Sequence, residues 1–81
     1  MAQVSPLWYL RRAIQAVDEN DWINCTIAMH GFQFALIASW DLARIMRRNG
    51  HECPDVEREE RQELLQTLQA KIEERKRQAR Q

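Results

Sequence analysis

Cys25, His30, His51 and Cys53 are the side chains of this sequence best suited to hold a metal ion or to act as nucleophile and base. Their spacing argues against both roles. Cys25 and His30 stand five residues apart, and on a helix that separation turns one side chain about 140° from the other, so they cannot converge on one ion or exchange a proton. His51, Glu52 and Cys53 offer too few ligands for a closed zinc site, and no Cys-x-x-Cys pair completes them. No glycine-rich phosphate loop is present, and a few helices of this size leave no deep cleft for an acid and base carboxylate pair. The expected protein is not an enzyme and carries neither metal nor cofactor.

Two groups of residues point instead to binding. Trp8 and Tyr9, flanked by Arg11 and Arg12, have the aromatic and arginine composition favoured in binding hot spots, although packing of Trp8 over the helical hairpin is the favoured reading. Arg75, Lys76, Arg77 and Arg80 could touch phosphate, and a dimer would present two such tails. These bases are interleaved with Glu73 and Glu74 and have no aromatic partner close in sequence, so the tail reads first as a solvated helix face. Over the whole chain 12 basic residues balance 12 acidic ones, which removes the general attraction expected of a nucleic-acid or anionic-membrane binder.

The elements that carry these residues follow from punctuation and periodicity. Ser5-Pro6 reads as an N-cap followed by proline at the first helical position, opening a helix over residues 6–17 with Leu7, Leu10, Ile14 and Val17 on one stripe. Asp18-Glu19-Asn20-Asp21 breaks it and supplies negative charge to the start of a second helix, residues 21–49. That helix ends at Asn49-Gly50, with Arg44, Arg47 and Arg48 complementing its negative end. Pro54 and Asp55 open a third helix, residues 54–80, acidic in its first half and basic in its last turns. Its apolar stripe is thin: Leu64, Leu65, Leu68, Ile72 and Ala79.

The second helix is apolar over far more than one side. Cys25, Met29, Phe32, Leu36, Trp40 and Ala43 form one face, and Ile27, Phe34, Ala38 and Ile45 form another nearly opposite, with Ala28, Gly31, Ala35 and Ser39 as a seam of small residues between them. Folding the third helix back antiparallel, so that paired residue numbers sum to about 104, sets Trp40 by Leu64, Leu36 by Leu68 and Phe32 by Ile72. The same register sets Arg44, Arg47 and Arg48 by Glu57, Glu59 and Glu60, and the basic tail by Asp18, Glu19 and Asp21. The short first helix then covers only part of the other face.

An all-α fold is expected: one domain over residues 1–81, made of a short N-terminal helix and a long antiparallel helical hairpin, dimerising into a four-helix type of core. A chain of 81 residues without a disulfide framework or structural zinc has few other ways to bury enough surface. Ile27, Gly31, Phe34, Ala35, Ala38, Leu42 and Ile45 are the expected interface, toward a second copy or an unidentified protein. Trp22 to Trp40 is near the minimum for a bilayer span, but Asn24, His30 and Gln33 within it and Asp21 and Asp41 at its ends favour a buried helix in water. The start of the chain shows no secretion signal, so the Asn24-Cys25-Thr26 acceptor match is set aside and cytoplasmic residence is expected. The function that fits is a small adaptor, regulator or inhibitor of another protein. The alternatives are a nucleic-acid-binding regulator with paired basic tails and a structural subunit of a larger assembly.

Overall fold

The computed structural model describes residues 5–80, and among them the fold is all-helical: α1 (Pro6–Asp18), α2 (Trp22–Arg48) and α3 (Arg58–Ala79). Local chemistry accounts for most of the boundaries. The Ser5 hydroxyl accepts from the Leu7 N–H at 3.2 Å and Pro6 occupies the first turn, which fixes the start of α1. The Asp21 carboxylate accepts from the Asn24 N–H and caps α2, so the acidic residues before Trp22 belong to the end of α1 and to this cap, not to the first turn of α2.

The ends of α1 and α2 share one device. Asn20 (φ 59°) and Gly50 (φ 82°) both stand in the left-handed region. After Asn20, the Asp21 N–H donates to the Ala16 carbonyl at 2.7 Å; after Gly50, the His51 N–H donates to the Met46 carbonyl at 3.0 Å. These bonds are the outer hydrogen bond of a Schellman cap, closing orphan carbonyls at each helix end.

The third helix starts at Arg58, four residues after the proline expected to open it. The acidic side chains before this start have partners of their own. Asp55 grips the guanidinium of Arg61 through a two-pronged contact at 2.6 and 3.2 Å, and Glu57 accepts from the Ser5 hydroxyl at 3.0 Å. The Asp55 carboxylate also accepts from the Glu57 backbone N–H, and Glu57, the N-cap residue of α3, makes no side-chain cap bond.

Packing departs from a direct hairpin of α2 and α3. No Cα of α2 comes within 8 Å of a Cα of α3, whereas α1 approaches both. The shortest helix is therefore the shared one. It runs antiparallel to α2, with Tyr9 over Gly31, and parallel to α3, to which it is tied by Ser5–Glu57, Arg11–Glu60 and Asp18–Lys71. The result is a plate of 56 × 24 × 14 Å.

The core follows from this order. Leu10, Ala13 and Val17 of α1 are wholly excluded from solvent and pack with Cys25, Ala28 and Phe32 of α2 and Leu68 of α3. Met29, Leu36, Leu64, Leu65 and Ile72 close its rim. Each large apolar side chain so buried contributes about 1.5–3 kcal/mol. Alanines at 13, 16 and 28 let α1 and α2 approach closely, which is why the first helix takes the Cys25–Phe32 face that the sequence assigns to α3.

The expected charge register changes accordingly. Glu60 is held by Arg11 and Glu57 by Ser5, both on the α1 side, while Arg44 pairs with Asp41 of its own helix at 2.6 Å and Arg47 donates to the Cys53 carbonyl at 3.3 Å. At the other end, the basic half of α3 does reach the end of α1: Lys71 pairs with Asp18 at 2.8 Å, and Arg75 donates to the Asp18 carbonyl at 2.9 Å.

Candidate protein-binding surface

Thirteen residues of α1 span about 20 Å, whereas the 27 of α2 span about 40 Å, so the far half of α2 runs beyond its cover. No residue of α2 after Phe32 is buried. On the side turned away from α1, Ile23, Ile27, Phe34, Ala38 and Ile45 lie within an arc of about 60°. All are exposed, Phe34 at 75% and Ile27 at 60%. Leu42 borders the strip on one edge; His30 and Asp41, both exposed, border it on the other. Ile23, Ile27, Phe34, Ala38 and Ile45 together form an apolar strip along α2 that the other helices leave uncovered.

The seven expected interface residues do not share one environment. Ile27, Phe34, Ala38, Leu42 and Ile45 are exposed, but Gly31 and Ala35 are half-buried on the α1 side. A Cβ at Gly31 would stand 2.4 Å from Cε1 of Tyr9, so the small residue there serves the packing of α1 on α2. Ile23 completes the face one turn earlier. Its eleven-residue spacing to Phe34, repeated from Phe34 to Ile45, is the signal in the sequence that marks it.

Trp40, expected against Leu64, is 53% exposed. It lines a groove of about 350 Å³ with Pro6, Leu42, Ala43, Pro54 and Val56, beside the Asp55–Arg61 pair. The groove is open and mostly apolar at its lip, with Val56 exposed at 85%. Arg61 holds the Asp55 carboxyl below its ordinary range, chiefly by direct hydrogen bonding, and this pair fixes the loop that forms one wall.

The aromatic and arginine group divides. Trp8 is 49% exposed, meets Tyr9 edge to face at 5.1 Å between centroids, and carries the Arg12 guanidinium 5.3 Å from its ring centre. Arg11 instead pairs with Glu60. Trp8, Tyr9 and Arg12 line a shallow depression with Asn24, Ile27 and Ala28, so this group is contiguous with the open face of α2 at Ile27.

The tail residues divide as well. Arg75 is spent on the Asp18 carbonyl and Arg77 on Glu74, leaving Lys76 and Arg80 exposed without a paired carboxylate among the described residues. Cys25 is buried, and burial pushes its thiol above the ordinary value, which makes it a core residue of low nucleophilicity. Among the described residues no three His, Cys, Asp or Glu side chains are grouped to hold a metal ion, and no helix is long and apolar enough to cross a membrane. No family model, curated protein or solved structure matches the chain.

Proposed function

We propose that the protein is a non-catalytic helical binding module that dimerises through α2 and acts on another protein as an adaptor, small regulator or inhibitor, by covering part of its surface. One observation carries this function: Ile27, Phe34, Ala38, Leu42 and Ile45 form an apolar face that α1 and α3 leave open. Residues so disposed lose hydration only when another surface covers them, and each large one so covered contributes about 1.5–3 kcal/mol. The neighbouring Trp8 with its stacked Arg12 extends the same surface with side chains of the hot-spot type. The surface offers area and shape in place of chemistry, and the action it suits is occlusion or titration of a partner.

Ala38→Arg tests this. A long charged group at the centre of the face can be neither hydrated nor paired once the face is covered. Light scattering should show a folded monomer for Ala38→Arg and an unchanged dimer for Gln33→Arg, which lies outside the face. A wild-type chain that stays monomeric would remove the dimer from the proposal.

A further inference from the structure

The open face of α2 is complementary to itself in one antiparallel arrangement. When two copies of α2 are laid side by side about a two-fold axis near residue 36, residues whose numbers sum to 72 meet across the contact. Ile27 then meets Ile45, and Phe34 meets Ala38, a large side chain against a small one. On one edge of the strip Leu42 falls beside Gly31, next to the Trp8–Tyr9 pair; on the other, Asp41 falls beside His30. A two-fold axis perpendicular to the helices keeps each edge with its own edge, so all four pairings are met at once.

Charge points the same way. Asp41 is the one acidic side chain of α2 after its cap, and among the described residues Arg44, one turn on, engages it. In the paired arrangement His30 of the second copy stands beside that carboxylate and can add a second donor to the one from Arg44. The arginine-bearing end of α2, with Arg44, Arg47 and Arg48, comes alongside the acidic start of the other α2, where Asp21 caps the helix, and the two macrodipoles run opposed. A register shifted by seven residues, two turns, with sums of 65, sets Ile45 opposite Asn20, before the start of α2, and Asp41 opposite Asn24.

We therefore infer that the occupant of this face is a second copy of the chain, and that the dimer is an antiparallel α2–α2 pairing in which Ile27 of each copy meets Ile45 of the other. In this register residues 24–48 of both helices overlap, a contact about 37 Å long. This rests on the dimerisation proposed for the same face and adds its geometry and register.

Paired charge substitutions test it by sedimentation equilibrium on the full chain. Ile27→Glu and Ile45→Lys, both at exposed positions and each placing its charge at the end of α2 that the macrodipole favours, should each weaken the dimer about 100-fold or more, since each leaves charge unpaired against isoleucine. The chain carrying both should recover to within about tenfold of wild type, because each Glu then faces a Lys. Circular dichroism separates folding from assembly: helix lost in a single variant and regained in the double has the same meaning as recovered mass. Two dissociated single variants with no recovery in the double would overturn this register while leaving the binding face in place. A monomeric wild type, or single variants that dimerise as well as wild type, would overturn the self-pairing altogether.

Discussion

Tyr9 stands over Gly31 at a distance that leaves no room for a side chain: a Cβ built on the glycine lies 2.4 Å from the ring carbon Cε1 and 2.5 Å from Cδ1. The contact holds α1 against the middle of α2 and so decides which face of α2 is covered. Glycine within a helix costs about 1 kcal/mol relative to alanine, yet alanine here must displace a ring already packed edge to face on Trp8. Overpacking of this kind costs about 1–3 kcal/mol. Gly31→Ala should therefore lower stability by about 1 kcal/mol, whereas the same change made in a Tyr9→Ala background should raise it by a similar amount. Denaturant melts of the four chains give the sign reversal directly.

The core prediction follows from α1 lying between the other two helices. Leu10 is wholly excluded from solvent and Leu68 nearly so, and both belong to the one buried cluster. Leu10→Ala and Leu68→Ala should each cost about 2–5 kcal/mol, while Gln69→Ala, exposed one position along α3, should change stability by less than about 0.5 kcal/mol. Equal losses at Leu68 and Gln69 in thermal melts would contradict the assigned face.

Much of this architecture is legible in the residues. Ser5-Pro6, Asn49-Gly50 and the Leu64–Leu68–Ile72 stripe mark boundaries and faces by local chemistry alone, and three helices are observed in that order, the third beginning later than Pro54 suggests. The partner of each face is not local. Cys25, Phe32 and Trp40 lie on one stripe of α2, but only the first two are buried, because α1 stops short of Trp40. Which helix takes that stripe depends on the small size of Ala13, Ala16 and Ala28, which periodicity treats as merely apolar. Glu57 illustrates the same limit: the sequence sets it by the arginines of α2, and the fold gives it to Ser5 instead. The open strip from Ile27 to Ile45 is legible because its spacing persists where no other element of the chain is long enough to cover it.

Gly50 and Asn20 hold equivalent left-handed positions, and they should respond differently to substitution. Among the described residues nothing lies within 4 Å of a Cβ at Gly50, so Gly50→Ala tests backbone strain and should cost about 1–2 kcal/mol. Asn20 already tolerates its conformation and receives the Trp22 indole N–H at 3.2 Å, so Asn20→Gly should stay within about 0.5 kcal/mol of wild type. Thermal unfolding of both chains measures the difference.

Acid stability should carry the signature of Asp55. Its folded carboxyl is held below the ordinary value of 3.8, first by the hydrogen bond from Arg61. A depressed folded value means that this contribution is fully present above the unfolded value and is lost as pH falls through the folded one. Stability should be level in this respect from neutrality to about pH 5 and decline below about pH 4. Asp55→Asn removes that dependence, so its melting temperature should fall less between pH 5 and pH 3 than that of wild type. A wild-type and variant pair with parallel acid profiles would show that the Asp55–Arg61 contact does not survive in solution.

The open face of α2 is the centre of the functional proposal, and the mass of the unmodified chain in solution tests it most directly. Sedimentation equilibrium over a range of concentrations should give twice the 9.7 kDa of one chain, with reversible dissociation on dilution. A single species of 9.7 kDa at every concentration, with helix content intact, would show that Ile27, Phe34, Ala38 and Ile45 remain in water and that α2 is not the surface through which two copies meet.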